Sequence, residues 1–289
     1  MYTGLAVKIF KIVFFIVFGI FALIGVLFSA VFVAMQFGLL NVRGSAAERN
    51  AFFGFPTSPL IGAASSTPPC VDVAAKVCDW RATPEWAVIS AGLRKDQAVI
   101  LQVSTQTGIS PRMIAAAAVP EQIRFFTAER EVFKRYFEPL KILGSLSQFS
   151  LGVSGIKQET ANKIEQYADD PTSPYYPGPG MYSLIAYPAN ASHDSALYDR
   201  LTDPKNHYYS YLYTALYIKE IEAQWQASGY DIAQNPAAVV TLFNIGFNNP
   251  HPGPAPAAGG AAITTGGTTY AYGELGADFY TSSELPEFQ

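Results

Sequence analysis

The sequence predicts a mostly α-helical protein: a helical domain behind an amino-terminal membrane-spanning helix, with a Pro/Gly-rich carboxy-terminal arm. Three observations carry this. No charged residue occurs from Ile12 to Val42. Only 15% of the 289 residues are charged, against the ~25% usual for a soluble domain. Between about residue 80 and residue 249, apolar side chains recur at helical spacing behind helix-start signals. The chain is long enough to bury a sizeable core.

In order, residues 1–11 read as a short cytoplasmic tail and 12–42 as a single-pass signal anchor, because ~20 apolar residues cross a bilayer as a helix. A cleaved signal peptide has an apolar region of only ~7–15 residues, although Ser45 and Ala47 keep cleavage as the alternative. Lys8 and Lys11 on one side and Arg43 and Arg49 on the other nearly balance, so charge alone does not orient the helix. The short tail and the two cysteines do. Cys70 and Cys78 are the only cysteines, and a lone pair fits one disulfide in an oxidising compartment, with two buried thiols as the alternative. Everything after Val42 is expected on the extracytoplasmic, cell-wall side of the membrane. Residues 43–69, rich in Gly, Ser, Thr and Pro, read as a linker.

Residues 70–249 read as the folded domain. Pro84 to Leu93 and Asp96 to Thr107 are short helices. Ser110-Pro111 opens another, with serine as N-cap and proline at the first position, and Pro120 should kink or end it. Further helices are expected over Arg130 to Leu146, Gln158 to Ala168, Tyr208 to Ser228, and from Pro236. On the Tyr208 helix, Tyr211, Ala215, Ile218 and Trp225 make an apolar stripe, with Lys219, Glu220 and Glu222 elsewhere. Residues 250–289 form the arm, Pro/Gly-rich and then aromatic.

Several functions are excluded. A pI near 5.4 argues against a nucleic-acid binder acting through a basic field. Three scattered His and two Cys provide neither a zinc ribbon nor a His-Glu-x-x-His pair. Gly152-Val153-Ser154-Gly155 is not a hydrolase nucleophile elbow, and no phosphate loop is present. No metal or cofactor is expected.

The residue that stands out is Glu121. With Ile114, Ala118 and Phe125 it shares one helix face, and a carboxylate on an apolar face is biased towards its protonated form. That is the state a general acid needs; the alternative is a glutamate that bends to solvent at a helix end, and it is the two downstream segments that favour the acid. Downstream, Ser150 to Ala161 combines Gly152 and Gly155, which permit close backbone approach to a ligand, with Gln158 as donor and acceptor. Thr241 to Gly246 adds Phe243 and Asn244. Aromatic rings stack on sugar faces and amides bond sugar hydroxyls.

In these three blocks the chain resembles the lytic transglycosylases, the goose-type-lysozyme-like branch of the lysozyme superfamily. Pro111 to Glu121 has the spacing of the family's Pro-initiated helix ending in the catalytic glutamate. The pattern Ser-x-x-Gly-Ala-x-Gly-Leu-Met-Gln-x-x-x-Thr-Ala is matched approximately by Ser150, Gly152, Gly155, Ile156, Gln158, Thr160 and Ala161. The pattern Ala-x-Tyr-Asn-x-Gly is matched by Phe243, Asn244 and Gly246. The resemblance covers residues ~110–249. It departs at Gln122 (serine in the family), Lys157 (methionine), Phe243 (tyrosine) and the long insertion 122–149.

The resemblance implies a lysozyme-like fold that cleaves peptidoglycan glycan strands at the MurNAc-GlcNAc β-1,4 bond. Glu121 would act first as acid and then as base. Ser150, Gly152, Gln158, Phe243 and Asn244 would line the sugar subsites. Asp169-Asp170 reads as a solvated turn and Glu159 lies beside Gln158, so no second carboxylate stands out, and a single acid points to 1,6-anhydro product ends. The rival readings are a weak or inactive glycan-binding scaffold of an envelope assembly and a lysozyme-type hydrolase.

Overall fold

The computed structural model describes residues 2–36, 41–42, 49, 52–53, 79–127, 130–131, 150–188, 192–247 and 251–289, and over them the protein is mostly helical. Two compact units are distinguished, Met1–Val42 with Glu129–Pro139, and Arg43–Ala128 with Leu140–Gln289. Cys70 and Cys78, most of the expected linker and most of the insertion 122–149 lie outside the described residues.

The first unit holds helix α1 (Tyr2–Gln36), 35 residues and therefore about 52 Å long at 1.5 Å per residue. Its described side chains run unbroken only over 11–27, and by those positions no helix is long and apolar enough to cross a membrane. Along that run the apolar side chains face outward, Phe15 and Phe21 among the most exposed. Strand β1 (Asn41–Val42) pairs antiparallel with β2 (Arg130–Glu131). The helix expected over 130–146 is otherwise outside the described residues.

The second unit opens with a 3₁₀ turn, Trp80–Ala82. Helix α2 (Pro84–Lys95) is capped by Thr83, whose Oγ1 accepts from the Trp86 N–H. Helix α3 (Gln97–Thr107) ends on Gly108 at φ +78°. Helix α4 (Pro111–Thr127) begins where Ser110 Oγ accepts from Met113 N at 3.1 Å. Pro120 lies inside α4 and does not end it; of the two expected effects, a kink or an end, the end is not seen. The carbonyl of Ala116, which a residue-120 N–H would ordinarily serve, lies where a Cβ on Gly276 would stand 2.9 Å away, and Tyr272 Oη donates to Ala117 O at 3.1 Å. Tyr272 and Gly276 thus pack against the turn that precedes the proline.

Strands β3 (Ser150–Leu151) and β4 (Ile156–Lys157) form a tight antiparallel pair. They are followed by α5 (Gln158–Asp169), α6 (Met181–Ile185), α7 (His193–Thr202), α8 (Tyr208–Ala227) and α9 (Pro236–Ile245). Helix α8 is the hub, packing against α3, α4, α5, α7 and α9. It therefore has almost no solvent face, and Glu220, expected off the apolar stripe, is completely buried.

The carboxy-terminal stretch forms a hairpin of β5 (Ala262–Thr265) and β6 (Thr268–Ala271), then α10 (Tyr272–Thr281), which packs on α9 and α4. Buried Arg112 of α4 donates to the carbonyls of Phe279, Tyr280, Ser282, Glu284 and Leu285, and its guanidinium lies 4.2 Å from the Phe279 ring. Within the stretch read as a linker, Phe53 is wholly buried against Gly92, and Phe52 stacks on His207 at 4.6 Å.

Candidate functional site

Glu121 lies in the last turns of α4 and is only 6% exposed. Arg124, one turn on, brings Nη1 to 3.5 Å from Glu121 Oε2. From the other side comes the turn between β3 and β4. Gly155 has φ +66°, and a Cβ there would stand 2.5 Å from Glu121 Oε1 and 2.6 Å from Cδ. A side chain at this position would require the Glu121 carboxyl to shift. The close approach expected of this glycine is to a ligand; the group that it meets is the candidate acid.

Gly152, at φ +70°, meets protein rather than open space. A Cβ there would overlap the Ser210 side chain and come within 2.7 Å of the Leu201 carbonyl. Between the two glycines, Val153 N donates to Ser210 Oγ at 2.7 Å, and Ser154 Oγ and Thr214 Oγ1 are hydrogen-bonded at 2.7 Å. Gln122 Nε2 donates to the Val153 carbonyl. Helices α4 and α8 thus grip one turn from opposite sides.

The remaining expected residues divide. Ser150 starts β3, opposite Lys157. Gln158 begins α5 and is half-buried. Phe243 is buried and packs on Tyr217 at 5.1 Å between ring centroids. Asn244 spends its carbonyl oxygen on the chain itself: Oδ1 accepts from Ala261 N at 2.8 Å, and a Cβ on Gly260 would lie 2.7 Å away. Gly152 and Asn244 therefore have structural work, and the Glu121–Gly155 contact joins the first two sequence blocks.

Several other described acids are engaged or buried. Asp170 Oδ1 accepts from Thr172 N (2.9 Å) and Oγ1 (2.6 Å), which lowers its pKa. Glu159 is paired with Lys163 at 2.9 Å. Buried Glu165 accepts from Tyr187 Oη (2.7 Å), from Tyr213 Oη and from His193 Nε2 (2.5 Å). Burial holds Glu220 well above the usual carboxylate range, and its oxygens have no hydrogen-bond partner among the described residues.

Sequence reasoning missed Gln122, Ser210 and Thr214. The two hydroxyls lie four apart on an otherwise apolar helix face, a signal that was legible. Among the described residues no group of three or more His, Cys, Asp or Glu could hold a metal ion. No family model, curated protein or solved structure matches the chain.

Proposed function

We propose that the chain is a membrane-anchored peptidoglycan lytic transglycosylase with Glu121 as its single catalytic acid. One observation carries the reading: the buried Glu121 carboxyl is abutted by Gly155, so the two motif blocks that resemble the family meet at the acid. A preorganised carboxyl held against a rigid turn suits proton transfer, which depends on geometry before pKa. Glu121 protonates the glycosidic oxygen, the muramic N-acetyl group stabilises the developing cation, and Glu121 then takes the proton of the sugar's own 6-hydroxyl. Asp170, Glu159 and Glu165 each bond to other groups and Asp169 is exposed at the end of α5; a single acid fits this intramolecular closure, which needs no second carboxylate.

The apolar side chains that α1 turns outward, Ile12 to Leu27, support an anchor in the lipid bilayer through residues 12–42. The catalytic unit and a Cys70–Cys78 disulfide then lie on the cell-wall side. The test is digestion of purified peptidoglycan by the full chain in detergent, with mass spectrometry of the products. Wild type should release fragments with 1,6-anhydro ends, and Glu121→Gln should lose on the order of 10²–10⁴ in rate while folding normally. Full activity in folded Glu121→Gln removes the assignment. Hydrated reducing ends alone would make the protein a lysozyme-type hydrolase.

A further inference from the structure

We infer that Gln122 is a positioning residue for Glu121, acting through the turn between β3 and β4; this rests on the reading of Glu121 as the acid. Both polar backbone groups of Val153 are bound by side chains from different helices. Its N–H donates to Ser210 Oγ of α8 at 2.7 Å, and its carbonyl accepts from Gln122 Nε2 of α4. Two residues on, Gly155 stands against the Glu121 carboxyl. Neighbouring residues of one helix therefore touch the same four-residue turn, one gripping it and the other pressed by it. The two peptide units that flank Val153 are thus each held, one at its N–H and the other at its carbonyl, which restrains the turn on both sides of the residue. The distance between Gly155 and Glu121 is set by that grip.

The cost of this arrangement is visible. Gln122 is 1% exposed, and its Oε1 has no hydrogen-bond partner among the described residues. A buried orphan acceptor destabilises a fold, and an apolar side chain of similar length would fill the same space without it. What methionine could not supply is the donor to Val153 O. The amide suits a requirement for the turn's placement better than one for stability. Serine, the family's residue at this position, is too short to bridge the same gap, and here the long insertion separates α4 from the turn in sequence.

The experiment compares wild type, Gln122→Met, Ser210→Ala and Glu121→Gln as full chains in detergent, on soluble peptide-free MurNAc-GlcNAc strands, with kcat, KM and thermal midpoint for each. Gln122→Met should lower kcat by roughly 10–100-fold, as expected for a small misplacement of a reacting group, with KM within about twofold and a midpoint near wild type. Ser210→Ala, which releases the other side of Val153, should give the same pattern and serves if Gln122→Met fails to fold. Wild-type kcat in both variants overturns the inference, as does a lower midpoint with unchanged kcat, which marks a merely structural role. An inactive wild type, or an active Glu121→Gln, overturns the parent reading instead and takes the inference with it.

Discussion

Replacing Gly155 by alanine tests the placement of Glu121 without altering the acid. Two effects combine. At φ +66° an L-residue costs about 1–2 kcal/mol. The new Cβ would stand 2.5 Å from Glu121 Oε1, 2.6 Å from Cδ and 2.7 Å from Cγ, where ordinary carbon contacts begin near ~3.5 Å. The carboxyl must therefore retreat by about 1 Å. It is the end of a flexible side chain, so the fold should survive with a melting midpoint lowered by roughly 2–8 °C. Catalysis is less forgiving: about 1 Å of displacement costs on the order of 10²-fold. Gly229 is the matched control, with φ +89° and nothing within 4 Å of where a Cβ would stand; Gly229→Ala has the strain without the collision. Turbidity loss of a peptidoglycan suspension, measured well below both midpoints, provides the comparison. Near-wild-type activity in Gly155→Ala, or an equal loss in Gly229→Ala, would refute the reasoning.

Arg112→Met keeps the volume but removes a buried donor from five carbonyls around the end of α10, of which Phe279 O and Leu285 O keep other donors, and should cost roughly 3–5 kcal/mol in denaturant unfolding. His193 lies between Glu165 and Asp194, and chiefly its hydrogen bond to Glu165 raises its pKa. The stability from that contact is complete below the unfolded value of ~6.5 and is lost as pH rises through the higher folded value; His193→Gln should flatten that fall in melts across about pH 5–9. Burial pushes the Glu222 carboxyl from 4.5 up to about 7, so the folded state holds its proton more tightly and stability falls between those values as pH rises. Glu222→Gln should therefore gain at most about 3 kcal/mol near pH 8 and nothing near pH 4, by chemical denaturation at each pH.

Much of the helical framework was legible because its signals are local. Ser110-Pro111, Thr83-Pro84 and Asn235-Pro236 each start a helix where a capping oxygen and a proline without a free N–H suit the first turn. The boundaries of α5, α8 and α9 follow the expected ones closely. Glu121 stood out only in company with the two downstream blocks, because a lone glutamate near a helix end reads equally as one that turns to solvent. Pro120 did not end the helix: proline's penalty is local, whereas the residues that pack on that turn, Tyr272 and Gly276, come from some 150 residues downstream. Glu220 misled for the same kind of reason. A helix wheel shows which residues share a face, but it does not show how many faces the rest of the chain will cover.

The sequence by itself determined the long apolar amino-terminal run, the caps and periods of the helices, and the glycines that tolerate positive φ, since each depends on residues within a turn or two of one another. Only the tertiary structure decided what those glycines are for. Gly152 accommodates Ser210 and the Leu201 carbonyl, while Gly155 accommodates Glu121, and no spacing distinguishes the two. Asn244 and Gln122 were likewise assigned by contacts across the fold, to Ala261 and Val153. A side chain's chemistry is written in the sequence, but which of its hydrogen-bonding atoms remain available is settled by the groups that burial brings against them.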